Sequence, residues 1–185
     1  GGSVAAHAGA LAAALAQMVA GLTVGKKKYA AVDGEMKETA LRAASLGNRL
    51  AALVAEDATA YERVSAAYQL PKDSDEQSAA RAAAVADALL GAARVPLETA
   101  RAATDVAELA AAVAERGNTN AVTDAGVAAL LAEAACRGAV YNVRVNVAAL
   151  DDKTPAEPLV TEAAALLGRA QRASQVAQAA VERAL

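Results

Sequence analysis

The 185-residue chain is 56% apolar but only 2% aromatic, carries a formal charge of −3, and has one His, one Cys and neither Trp nor Phe. A core of Ala, Leu and Val favours closely packed helices. A weakly negative chain without stacking aromatics argues against a nucleic-acid binder. A lone His and a lone Cys exclude an intramolecular disulfide and a His/Cys zinc site. An enzyme of this composition works with carboxylates, Lys, Asn, Ser and backbone dipoles, and no metal is expected.

Length and pattern predict one all-α domain over residues 1–185, a bundle of about six helices without repeat or linker. Gly1-Gly2-Ser3 opens it, with Ser3 suited to cap the helix that follows. The glycine pair also suits a point where a ligand anion meets a helix N-terminus. From Val4 to Val24 only His7, Gln17 and Thr23 are polar. That length could span a bilayer, but the Ala-rich composition and the charged companion helices point to a central core helix. No membrane partner is expected, and no signal peptide precedes this helix. The single Cys136 suits a reducing compartment, so the expected location is cytoplasmic.

Gly25 ends the first helix, and Lys26-Lys27-Lys28 follow, placed to complement its dipole or to receive a poly-anionic tail. A second helix is predicted from about Tyr29 to Leu70, stopped by Pro71. Its apolar face, Leu46, Leu50, Leu53, Tyr61, Val64 and Tyr68, has Asp57 in the middle of the stripe. A carboxylate there is costly unless it has partners, faces a cleft, or has a task. Ser74 and Gln77 form a capping box for a helix that Pro96 should break or kink before a further segment runs to Arg116.

The stretch Gly117 to Gly126 concentrates two Asn, two Thr and an Asp between alanine-rich segments. Gly117 reads as a left-handed helix cap, Asn120 or Thr123 as the next N-cap, and Asp124 as a first-turn acid. A helix from about Thr123 to Leu150 bears Arg137, Asn142, Arg144 and Asn146. Thr154-Pro155-Ala156-Glu157 starts the last helix, which runs to Leu185.

The order and spacing of several stretches resemble the cyclodeaminase/cyclohydrolase family. These are Gly1-Gly2-Ser3-Val4-Ala5-Ala6, Gly25-Lys26-Lys27-Lys28-Tyr29, Glu56-Asp57-Ala58, and Tyr68-Gln69-Leu70-Pro71. Val95-Pro96-Leu97, Gly117-Asn118-Thr119-Asn120, Thr123-Asp124-Ala125-Gly126, Arg137 and Asn142-Val143-Arg144-Val145-Asn146 continue the match to about Leu150. Family members usually carry a helix and a Pro-Gly segment before the Gly-Gly-Ser.

The resemblance implies a helical homodimer with a folate site near the subunit interface. It also implies chemistry on a tetrahydrofolate derivative as substrate, with no further cofactor. One family reaction closes 5-formimino-tetrahydrofolate to the 5,10-methenyl compound and releases ammonia, and is slightly favoured here. The other opens the methenyl compound with water to 10-formyl-tetrahydrofolate. Both are additions and eliminations at one amidine-like carbon and call for proton transfer.

On that reading Asp57 and Asp124 flank the reacting carbon, Asn118 and Asn120 orient the substrate, and Gly1, Gly2 and Ser3 offer helix-terminal amides. Lys26, Lys27 and Lys28 would receive the glutamate carboxylates of a substrate that is expected to include polyglutamylated forms. The competing reading is a non-catalytic helical module whose seams serve only dimerisation.

Overall fold

The computed structural model describes residues 1–185 and contains helices and turns without strands. Five helices make the bundle: α1 (Gly2–Thr23), α2 (Asp33–Tyr68), α3 (Asp75–Arg116), α4 (Val122–Ala148) and α5 (Glu157–Ala184). Short 3₁₀ turns at Lys27–Val32, Thr119–Ala121 and Thr154–Ala156 lead into α2, α4 and α5.

Small side chains set how closely the helices approach. Gly9 lies where an added Cβ would be 3.0 Å from Leu50 on α2 and 3.5 Å from Ala135 on α4. Farther along, Gly138 meets Ala5 at 3.3 Å and Gly47 meets Ala13 at 3.5 Å. These contacts fix α1 antiparallel to both α2 and α4. Ala5, Ala6, Gly9, Ala12, Ala13 and Ala16 form its buried stripe, with the three- and four-residue spacing of one helical face.

The hub of the bundle is α3, which packs on all four other helices, whereas α1 packs mainly on α2, α3 and α4. The apolar run from Val4 to Val24 predicts a central place for α1, which α3 occupies instead. The length and apolarity of α1 suit a membrane span, but one face is spent on packing. The other leaves Val4, Leu11, Met18 and Leu22 exposed. Neighbouring α4 exposes Val127, Leu130, Tyr141 and Val145, so the pair presents an extended apolar face.

Pro96 does not end a helix, and that is why there are five helices rather than about six. The 42-residue α3 runs straight through it. A proline leaves the carbonyl four residues earlier without its helical donor, here that of Ala92. Asn146 on α4 replaces it: its Nδ2 donates to Ala92 O at 2.9 Å. The proline is thereby tolerated in a buried position, and the amide of Asn146 is fixed against α3.

The far end of α1 is pinned just as locally. Gly25 takes the left-handed conformation, φ 75°, that lets the chain leave the helix. Gly117 does not: its φ is −80°. Its need for glycine is spatial, because an added Cβ would lie 2.4 Å from Val113 O and 3.2 Å from Thr23 Oγ1. Nor do Asn120 or Thr123 cap α4. The Asn118 side chain instead accepts from Asn120 N at 3.2 Å and caps the 3₁₀ turn.

Candidate active site

Asp57 lies at the N-terminus of α1. Its Oδ2 accepts two hydrogen bonds from Ser3, one from the backbone N and one from Oγ, both 2.7 Å. The unpaired amides of a helix start and its dipole favour a carboxylate there. Closest approach is made possible by Gly2, where a Cβ would stand 2.1 Å from Asp57 Oδ1. The acid in the apolar stripe of α2 is therefore neither buried without partners nor tied to an arginine. Half-buried, it forms one wall of a cleft.

That cleft has a volume of about 590 Å³, within the usual range for small-molecule sites. Gly1 and Ser3 line it from α1, Asp57 and Tyr61 from α2, and Asn142 and Asn146 from α4. The two asparagines share a face at the i, i+4 spacing. Asn142 Nδ2 donates to Gly138 O at 2.8 Å, and Asn146 Nδ2 donates to Ala92 O and Asn142 O, both at 2.9 Å. Because these partners are all carbonyls, the amide orientations are fixed and both Oδ1 atoms remain acceptors. No buried side-chain oxygen lacks a partner. Asp57 Oδ1 and the two amide oxygens are thus open to solvent and free to accept from a cationic or N–H-rich ligand.

A second polar cluster occupies the opposite end of α1. The Asn118 backbone N donates to Thr23 Oγ1 at 2.8 Å and its Nδ2 donates to Leu22 O at 3.3 Å. With Oδ1 also engaged, this buried side chain is spent on holding the turn. Asn120 is exposed, and Asp124, half-buried, lies in the first turn of α4. Lys26, Lys27 and Lys28 are exposed beside them; Lys28 Nζ reaches Thr119 Oγ1 at 3.4 Å and sits 5.2 Å from the Tyr29 ring centroid. The Tyr29 hydroxyl accepts from Thr119 N at 3.0 Å and lies 3.2 Å from Thr119 Oγ1. Hydrogen bonding by the Thr119 side chain, then by its backbone, and the nearby Lys28 lower the Tyr29 phenol to about 8.

The residues singled out in the sequence therefore form two groups. Gly1, Gly2, Ser3 and Asp57 meet at one end of α1; Lys26, Lys27, Lys28, Asn118, Asn120 and Asp124 gather at the other. The 18 residues of α4 between Asp124 and Asn142 span about 27 Å at 1.5 Å per residue. Within one chain, Asp57 and Asp124 cannot flank the same atom. Asn142, Asn146 and Tyr61 join the cleft in addition to the residues expected there. The available signal was the i, i+4 spacing of Asn142 and Asn146 on α4.

The family model for formiminotransferase-cyclodeaminase matches residues 1–165, which include both clusters. The chain belongs to this family. It is 45% identical over 170 residues to the methenyltetrahydrofolate cyclohydrolase of Methylorubrum extorquens, covering 92% of this chain and 82% of that protein. It is 34% identical to the formimidoyltransferase-cyclodeaminase of Mus musculus over 82% of this chain, but spans only 28% of the mouse protein. The crystal structure of formiminotetrahydrofolate cyclodeaminase from Thermotoga maritima superposes with a TM-score of 0.87 at 30% identity. That alignment covers 98% of this chain and 86% of the other. The five-helix bundle is thus the fold of a solved family member.

Proposed function

We propose that the protein is a folate one-carbon enzyme that adds water to 5,10-methenyltetrahydrofolate to give 10-formyltetrahydrofolate. The observation that carries this choice is the 45% identity, over most of both chains, to a cyclohydrolase. The Asp57 cleft supplies what the step requires. The methenyl carbon bridges N5 and N10 and carries positive charge, which the Asp57 carboxylate and the Asn142 and Asn146 amide oxygens attract. Asp57 Oδ1 accepts a proton from the attacking water as the C–O bond forms. Collapse of the resulting carbinol breaks the C–N5 bond, and the hydroxyl proton passes to N5. One proton is released overall. Neither step moves electrons to an acceptor, so the folate itself is the only one-carbon carrier required.

Formimino-tetrahydrofolate cyclodeamination is the second reading, supported by the likeness to the Thermotoga maritima cyclodeaminase. There N10 attacks the formimino carbon, and Asp57 would relay the proton that lets ammonia depart. Incubation with each substrate, following the methenyl chromophore, separates the two. Cyclohydrolase activity removes the chromophore from methenyltetrahydrofolate; cyclodeaminase activity creates it from 5-formimino-tetrahydrofolate. No change with either substrate overturns both readings.

The protein acts, on this proposal, as a homodimer through the apolar α1–α4 face. Val145 belongs to both that face and the cleft. An antiparallel two-fold pairing of α1 would carry the Asp124 and lysine end of one chain to the Asp57 end of its partner. Asp124 would then approach the cleft across the interface, and Lys26, Lys27 and Lys28 would meet the distal residues of a polyglutamate tail. Subunit mixing tests this. Asp57→Asn and Asp124→Asn proteins, each inactive alone, should recover activity when mixed, because each mixed dimer rebuilds one intact site. Absence of recovery in verified mixed dimers refutes the shared site.

A further inference from the structure

We propose that a groove between α2 and α3, beside the Asp57 cleft, binds the glutamate carboxylates of the substrate through Arg63 and Arg94. This assignment rests on the folate reading and gives the first glutamate a site within the same chain, leaving Lys26, Lys27 and Lys28 to the distal residues of a longer tail. Those lysines follow a 22-residue helix, which puts them about 33 Å from the Asp57 end of the same chain at 1.5 Å per residue.

The groove has a volume of about 550 Å³ and continues the cleft, sharing Ala60 and Ala92 with it. Arg63 stands six residues after Asp57 on α2, about 9 Å farther along the axis. Arg94 faces the same groove from α3, two residues after Ala92. A ligand whose reacting carbon lies at Asp57 therefore has a continuous path over two alanines toward two guanidinium groups. Small residues, among them Ala55, Ala88 and Gly91, keep the path open.

Charge in the groove favours an anion. Its acidic lining residues are Glu56 and Asp87. Glu56 is already neutralised by a two-point contact with Arg49. Arg63 and Arg94 make no ion pair, unlike Arg49, Arg101, Arg116, Arg137 and Arg169. Two free guanidiniums thus face one unneutralised acid, Asp87. Guanidinium presents its N–H groups in a planar fork that matches a carboxylate, and such charge-assisted contacts are the stronger hydrogen bonds. A glutamyl unit with two carboxylates supplies the charge this pair lacks.

The test compares kcat/KM for methenyltetrahydrofolate with that for its tetrahydropteroate counterpart, which lacks glutamate. For wild type, glutamate should improve kcat/KM. In R63Q/R94Q that advantage should shrink by about ten- to a hundredfold, chiefly through KM, as expected for one or two lost charge-assisted contacts. D87N should enlarge it. High salt should reproduce the arginine effect in wild type and leave the double variant little changed. An advantage from glutamate that survives in R63Q/R94Q, or an equal loss on both substrates, overturns the groove assignment and leaves the folate reading intact. A wild-type enzyme active on neither substrate, in hydrolysis or in cyclodeamination, overturns the folate reading and this inference with it.

Discussion

Changing Gly2 to Ala tests whether the contact between α1 and Asp57 is built for function. Helix propensity alone predicts that Ala would stabilise the first turn by up to about 1 kcal/mol. The structure predicts the reverse. The new methyl would lie 2.1 Å from Asp57 Oδ1, 2.7 Å from Cγ and 2.9 Å from Oδ2, all inside van der Waals contact. The carboxylate is the free end of a short side chain, so it rotates away rather than displacing the helix. Both bonds from Ser3 are then lost or lengthened. Hydrogen bonds to a charged group contribute about 1.5–3 kcal/mol each. Water re-solvates a half-buried carboxylate, so after the helix gain the net cost should be about 1–3 kcal/mol. Activity should suffer more, since a displacement of about 1 Å at a reacting group costs on the order of a hundredfold. Thermal melting and methenyl turnover on one preparation provide the assay. A Gly2→Ala protein that is both more stable and fully active would show that Asp57 does not depend on this contact.

Asn146→Ala should lower stability by about 1–3 kcal/mol, because it leaves the Ala92 carbonyl without its donor. Adding Pro96→Ala supplies an N–H to that carbonyl, so the double variant should lose less than the sum of the single changes; strict additivity in denaturant melts would refute the pairing. Tyr29 should titrate near pH 8, visible as phenolate absorbance in wild type and absent from Tyr29→Phe. Its folded pKa lies below the ordinary value of about 10, so its contribution to folding stability grows as pH rises from 8 to 10 and is absent below the folded pKa. A wild-type phenolate titration with no component near 8 would contradict the Thr119 contacts. Leu11→Glu on the exposed face of α1 should convert a dimer into a monomer by sedimentation, and an unchanged mass would remove that face from the interface.

Most of the fold is legible in the sequence because its signals are local. Alanine-rich helical spacing, the Ser74–Gln77 box, Gly25 and Pro71 all act within a few residues. Gln77 does accept from Asp73 N, one residue off the expected reciprocal bond. Pro96 departs from the break that local rules predict because its tolerance depends on Asn146, 50 residues later in the chain. Gly117 reads in the sequence as a left-handed cap, whereas the constraint in the structure is Thr23 and Val113 packed against it. The site divides in the same way. Asp57 stands out because a carboxylate in an apolar stripe is physically costly. The sequence alone leaves open whether it has partners, faces a cleft or has a task. Ser3, 54 residues away in the chain, is the partner, and the carboxylate also lines a cleft. Lys26, Lys27 and Lys28 lie at the far end because the 22-residue α1 separates them from Gly1, whereas Asp124 joins them because α4 packs antiparallel to α1, which residue type and order do not encode.

Asp57→Asn separates a proton carrier at the reacting carbon from a mere cap for α1. Asparagine keeps the size of the side chain and an oxygen for Ser3, so the cleft should persist with a stability loss of about 1 kcal/mol from the weaker, uncharged acceptor. Turnover of methenyltetrahydrofolate should fall about 100-fold or more in kcat, the usual cost of losing a general acid–base group. Substrate binding, measured on the same preparation, should change far less. A folded Asp57→Asn enzyme with wild-type kcat would contradict the account and leave Asp57 as no more than a cap for α1.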